Sequence, residues 1–187
     1  MKKLLTSFLF LLIFTFSISA QKSVEKQIES IRKIYTEISN KIETTEKDEE
    51  SGRTSDLAVN ELVINKLNKS WAAVGNYRVV YRFYYQNRDE EPYPTQLVKV
   101  TKTTESAARR YYEEFVYDKT DNLIFYFEKS ADDEKPLERR IYFDKKRAFR
   151  MVEDESVRDR LPANDNAVTK VLNDSKSIQQ IFINSIK

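Results

Sequence analysis

Two adjacent glutamates, Glu113 and Glu114, are the first residues of this sequence whose type could support acid–base chemistry. A glycosidase-like hydrolase needs two carboxylates facing each other across a cleft. The surrounding run, Arg109-Arg110-Tyr111-Tyr112-Glu113-Glu114-Phe115-Val116-Tyr117-Asp118, reads as a strand. Neighbours on a strand point to opposite faces, so Glu113 and Glu114 cannot share a site. A pair such as Glu114 with Glu128 converges only in a particular register. With 30 acidic residues in the chain, solvated or Arg-paired carboxylates are the expectation, and no catalytic residue is assigned.

A second pattern sets basic residues beside aromatic ones: Arg109-Arg110, Arg139-Arg140 and Lys145-Lys146-Arg147. Such interleaving can stack bases and neutralise phosphates. A nucleic-acid binder also carries a net positive field. Here Lys2 and Lys3 account for the whole formal charge of +2, leaving thirty basic and thirty acidic residues. Nucleic acid is therefore not expected as a partner, and cross-strand pairing with Glu113, Glu114, Glu128 and Glu138 accounts for the arginines.

Absent residue types narrow the chemistry further. The chain has no cysteine and no histidine. That removes thiol nucleophiles, disulfides, thiolate metal sites and the usual general base near neutral pH. Two glycines, Gly52 and Gly75, cannot build a phosphate-cradling loop. No cofactor, no metal and no enzymatic activity are expected. What remains is a large aromatic supply, eleven Tyr and eleven Phe. A tyrosine ring packs while its hydroxyl stays available, which suits glycans, peptides or a partner protein. Tyr112, Tyr126 and Tyr142, on the less apolar side of the strands that carry them, are the candidate binding residues.

These residues need elements to position them. Met1-Lys2-Lys3, an apolar run from Leu4 to Ile18, and Ser17-Ile18-Ser19-Ala20 form the layout of a secretory signal peptide cleaved after Ala20. The alternative is an uncleaved anchor, for which the run is short. After cleavage no stable membrane span is expected, and the location is periplasmic or secreted. Residues 21–187 read as one α+β domain. Val24, Ile28, Ile31, Tyr35, Ile38 and Ile42 form an amphipathic helix over 21–46, with Ser23 as N-cap. Its heptad spacing leaves a coiled-coil seam open beside a single helix on a sheet. Residues 47–58 read as an exposed linker.

From residue 60 to 152 the rhythm is that of strands. Tyr77, Val79, Tyr81, Phe83 and Tyr85 alternate with Arg78, Val80, Arg82 and Tyr84. Strands follow near 96–103, 110–118, 123–129, 138–144 and 147–152, with one near 61–68 before them. An Asp118–Asn122 turn would set Phe115 opposite Phe125. That places Tyr111, Phe115, Tyr117, Leu123, Phe125 and Phe127 on one face, and Tyr112, Glu114, Val116, Ile124, Tyr126 and Glu128 on the other. Residues 163–187 return to helical spacing. The expected fold is a curved antiparallel sheet of six or seven strands, with the N-terminal and C-terminal helices covering one face.

The segments Glu114-Phe115-Val116-Tyr117-Asp118, Leu123-Ile124-Phe125-Tyr126-Phe127 and Arg139-Arg140-Ile141-Tyr142-Phe143 resemble those of uncharacterised secreted or periplasmic bacterial proteins with an aromatic antiparallel β-meander. Asp121-Asn122 stands where such turns often carry Gly-Asn. The resemblance spans roughly 60–152 and implies a β-rich body outside the cytoplasm, with no activity attached.

Three functions fit. The first is a non-catalytic binding domain that recognises an envelope component or partner protein through its aromatic sheet. The second is a periplasmic carrier holding an apolar ligand in a half-barrel, which needs a cavity of several hundred Å3. The third is a carboxylate-dependent hydrolase, which needs two convergent acids. Oligomeric state is not encoded in any motif.

Overall fold

Antiparallel pairing dominates the fold, a computed structural model that describes residues 2–51, 56–72, 75–88, 93–106, 109–131 and 136–187, with side chains from residue 22 onward except 49 and 51. The elements in order are α1 (Lys2–Ser51), β1 (Ala58–Ile64), β2 (Ser70–Trp71), β3 (Gly75–Asn87), β4 (Pro94–Ser106), β5 (Arg109–Tyr117), β6 (Leu123–Ala131), β7 (Leu137–Asp144), β8 (Arg147–Glu153), β9 (Ser156–Asp159) and α2 (Asn166–Ser185). Two units form, residues 1–36 within α1 and residues 37–187. Ile28, Ile31 and Ile38 of the predicted stripe are buried. Helix α1 runs without a break from Lys2 to Ser51, so Ser23 lies inside it rather than at an N-cap, and the first part of the expected linker is helical; residues 52–55 of it lie outside the described residues.

The sheet has nine strands in the order β1-β3-β4-β5-β6-β7-β8-β9, with β2 beside β3. Sequence periodicity anticipates seven of them. It passes over β2 and β9, which have two and four residues and no apolar alternation to detect. Strand β4 begins at Pro94, where a missing N–H costs no central ladder bond.

One transverse row shows why the sheet holds together. Phe83, Val100, Phe115, Tyr126, Ile141 and Met151 are successive Cα partners from β3 to β8, and each is essentially inaccessible to solvent. Full burial of such side chains contributes about 1.5–3 kcal/mol each. Helix α2 lies on this row through Val168, Val171, Ile178 and Phe182. Phe182 stacks on Phe83 with ring centroids 6.0 Å apart and meets Tyr85 edge-on at 5.1 Å. Asp165 starts α2 by accepting from Ala167 N at 3.0 Å and Val168 N at 3.2 Å, an N-cap that satisfies two otherwise orphaned donors.

The expectation that both helices cover one face is corrected here. Tyr84 points away from Phe83 and Tyr85, and its hydroxyl donates to Glu46 of α1 at 3.2 Å. Lys41 Nζ donates to Gln86 Oε1 at 3.2 Å. The part of α1 after Thr36 therefore lies on the face opposite α2. The physical reason is that both faces are apolar at mid-sheet: Tyr84, Val116, Phe125 and Tyr142 on the second face are as buried as the residues under α2.

The Asp118 turn forms as expected. Asp118 N donates to Asn122 O at 2.9 Å, Asp121 adopts φ 60, and Tyr117 opposes Leu123. The pairing beyond it does not. Val116 opposes Phe125 and Phe115 opposes Tyr126, because Ile124 is an extra, unpaired residue. Such a β-bulge exchanges the faces of everything after it. Tyr126 and Glu128 join Phe115, while Phe125 and Phe127 join Glu114 and Val116.

Candidate functional site

The bulge separates the three tyrosines. Tyr126 lies under α2, its hydroxyl donating to Glu113 Oε1 at 2.9 Å. Tyr142 is on the other face, buried, with Phe125 at 5.2 Å and Phe149 at 6.2 Å between ring centroids. Tyr112 shares that second face, half-buried, and donates to Glu114 Oε1 at 2.7 Å. Burial pushes the Tyr126 hydroxyl pKa far up, and the charge of Glu113 pushes it further. Tyr112 and Tyr142 share a face; Tyr126 does not join them.

Glu113 and Glu114 occupy opposite faces, as strand geometry requires, and both are buried. Each takes a lysine of β4. Lys102 Nζ lies 2.5 Å from Glu113 Oε2, and Lys99 Nζ lies 2.8 Å from Glu114 Oε1. The arginines serve their neighbours: Arg139 reaches Glu128 at 3.2 Å and Glu153 at 2.8 Å, while Arg140 pairs with Glu138. Cross-strand pairing thus accounts for Glu128 and Glu153, with lysines rather than arginines neutralising the adjacent glutamates.

Two convergent acids do exist, although they are Glu113 and Glu128 rather than Glu114 and Glu128. They are direct Cα partners. Their row runs Tyr81, Lys102, Glu113, Glu128, Arg139, Glu153 across six strands, one step beyond the buried apolar row. Glu113 accepts from Lys102 and Tyr126, and Glu128 accepts from Arg139. From Lys102 the charges run +, −, −, +, −, so the two adjacent carboxylates are flanked by a cation on each side, Lys102 at Glu113 and Arg139 at Glu128. Lys170 of α2 senses this row: burial lowers its pKa, but Asp174 and the carboxylates Glu113 and Glu128 raise it on balance. The arrangement fastens strands beside α2. Among the described residues no group of three or more acidic side chains could hold a metal ion.

Apolar surface emerges at the β1 end of the sheet. Leu62 and Ile64 are exposed, opposite Tyr81 and Val79. Even-numbered β1 residues are on the α2 face, since Asn60 bonds Tyr85 Oη at 3.0 Å and Ser185 Oγ at 3.4 Å. Trp71 pairs with Gly75, which is in phase with Tyr77, Val79 and Tyr81, so Trp71 joins the same face. It is 57% exposed, and Leu67 in the turn before it is 76% exposed. Gly75 adopts φ 75, a left-handed conformation that closes the β2–β3 turn without strain. Leu62, Ile64, Trp71, Tyr77, Val79 and Tyr81 thus form a shelf with Lys102 at its rim. Sequence reasoning passed over Trp71. Its signal was its uniqueness, the only Trp in the chain, set four residues before a turn glycine.

In comparisons with protein-family models, curated proteins and solved structures, nothing matches this chain.

Proposed function

We propose that this chain is a non-catalytic binding domain, acting in the periplasm or outside the cell, whose ligand is a partner protein or envelope component seated on the Leu62–Trp71 shelf. The observation that carries this reading is the clustering of exposed large apolar residues. Four of them, Leu62, Ile64, Leu67 and Trp71, fall within ten residues of sequence on one corner of the sheet. Single exposed apolar residues need no explanation, whereas a contiguous group rimmed by polar residues marks an interaction surface. Trp and Tyr supply rigid contact area at little entropic cost. The location rests on the N-terminal charged and apolar pattern, and the β-meander resemblance supports it.

The layer between α2 and the sheet is filled by Phe83, Phe115, Tyr117, Phe143, Met151 and Phe182. Binding on the shelf is therefore favoured over a carrier that encloses its ligand beneath α2. The cation-bound state of Glu113 and Glu128 favours a structural role over hydrolysis.

Site-specific photo-crosslinking in the producing cells tests the proposal. A crosslinker at Leu67 should yield discrete adducts, and one at Val157, also exposed but on the far edge, should not. Trp71→Ala should abolish the Leu67 adducts. Equal or absent adducts at both positions would end this reading.

A further inference from the structure

The two edges of the sheet are built differently. Strand β9 has four residues, all exposed, and carries Arg158 and Asp159. Shortness and charge are the usual protections of an edge against pairing. Strand β1 is the other end of the strand order, with β3 as its only neighbour among the described residues. It has seven residues, Ala58-Val59-Asn60-Glu61-Leu62-Val63-Ile64, without proline or lysine. Its register with β3 is unbroken by any bulge. Its one charge, Glu61, is bonded to Arg82 Nε at 2.9 Å. Among the described residues β1 thus lacks the shortness, lysine, proline and bulge that protect an edge.

We infer that β1 is the docking edge for one extended strand of another protein, which adds to the sheet beside Ala58–Ile64 and lays alternate apolar side chains on the Leu62–Trp71 shelf. This rests on the shelf-binding reading and specifies its occupant. An edge strand turns every second pair of backbone N–H and C=O groups outward, and only another extended backbone satisfies them in sequence. Leu62 and Ile64, two residues apart on the α2 face, meet side chains of the same period in the added strand. Trp71 extends the line, because β2 continues the same side of β3 past the end of β1.

A second copy fits this edge poorly. Full-length antiparallel self-pairing sets Ala58 against Ile64 of the other copy and therefore Glu61 against its own mate, an unfavourable like-charge pair. Other centres avoid that pair only by shortening the overlap, to residues 60–64 about Leu62 and to residues 62–64 about Val63. The fitting partner is a segment without proline, apolar at alternate positions, and uncharged or basic where it faces Glu61.

The test uses the full chain and twelve-residue peptides selected against it from a random phage-displayed library. The expected result is a consensus of apolar residues at i, i+2 and i+4. The synthetic peptide should slow amide exchange in β1 tenfold or more. N-methylation at every second peptide position should weaken binding at least tenfold, with the intervening positions tolerant. A peptide that changes Trp71 fluorescence while leaving β1 exchange and the N-methyl scan flat overturns strand addition, and the shelf-binding reading survives it. Failure of the library to yield any peptide that competes at β1 overturns strand addition too. Concentration-dependent protection of β1 without peptide overturns it in favour of a second copy.

Discussion

Asn65 Nδ2 donates to the backbone carbonyl of Tyr77 at 2.6 Å, across the gap where β1 has ended and β2 has not begun. The same amide donates to Lys69 O at 2.9 Å, and its Oδ1 accepts from Lys69 N at 3.1 Å. One side chain thus replaces the missing ladder and holds the turn that leads to Trp71. Asn65 also adopts φ 54, a left-handed conformation in which Asn is among the tolerated residues.

Asn65→Ala removes these bonds and places a less tolerant residue at positive φ. The expected loss is about 4 kcal/mol, from roughly 1 kcal/mol for each of the three net hydrogen bonds with the backbone penalty added. Asn65→Gly relieves the backbone and should lose less. Urea unfolding gives the stabilities. The emission of Trp71, the only tryptophan, reports the loosened turn in the folded state.

On the second face, Lys99 and Glu114 bury their charges together, with side chains only 6% and 7% exposed. Lys99→Met leaves the carboxylate without its cation and should cost about 3–5 kcal/mol. The double variant Lys99→Met/Glu114→Leu should recover most of that loss, because a buried pair seldom outperforms an apolar replacement of similar volume. A double-mutant cycle by urea unfolding measures both numbers. If the single variant is nearly neutral, water already reaches the pair.

Alkali should unfold this protein through its buried tyrosines. Burial raises the pKa of Tyr117, with Ser175 opposing slightly, and burial with Glu113 raises that of Tyr126, both from an ordinary value of 10.0. Above pH 10 the unfolded chain releases these protons while the folded chain keeps them. Stability is therefore complete below pH 10 and falls as pH rises, by up to about 1.4 kcal/mol per pH unit for each tyrosine. Phenolate absorbance should show these two ionising only as unfolding occurs. Tyr126→Phe should flatten the decline between pH 10 and 12.

Acid acts on the β8–β9 pair with the opposite sign. Asp159 accepts from Arg150 Nε at 2.6 Å and from a terminal guanidinium nitrogen at 2.9 Å. That hydrogen bonding holds its carboxyl below the ordinary 3.8. Its contribution is present above about pH 4 and disappears as pH falls through the lowered value. The side chain is 42% exposed, so solvent limits the effect to below about 1 kcal/mol. Asp159→Asn should be slightly less stable than the parent at pH 7 and indistinguishable from it at pH 2, by urea midpoint.

Local patterns were legible wherever the signal was local. Alternation from Tyr77 to Tyr85 located β3, Asp118 with Asn122 located its turn, and the spacing from Val168 to Phe182 located α2. Opposite faces for Glu113 and Glu114 followed from the strand period alone, and both found lysines. Absent histidine and cysteine limited the chemistry before any fold was known.

The bulges were not legible, and they decided the candidate site. Apart from a shift at Thr95 near the start of β4, the extra residues of the mismatched pairs are Val98, Ile124 and Phe149. All three are apolar and sit inside apolar runs, so nothing in the local pattern separates them from paired neighbours. The single residue Ile124 carried Tyr126 away from Tyr112 and made Glu128 rather than Phe127 the partner of Glu113.

What the amino-acid order determined by itself was the inventory: an apolar run near its start, a meander of aromatic strands, helical segments before and after it, and the exclusion of histidine and cysteine chemistry. Tertiary structure alone decided which residues meet. Trp71 shares a face with Leu62 and Ile64 because its partner Gly75 is in phase with Tyr81 and Val79, the partners of those two residues. Helix α2 covers the apolar row, and its Lys170 reaches the field of the charged one. Strand periodicity is a property of neighbours in the chain, whereas register and helix coverage are set by contacts between residues far apart in it.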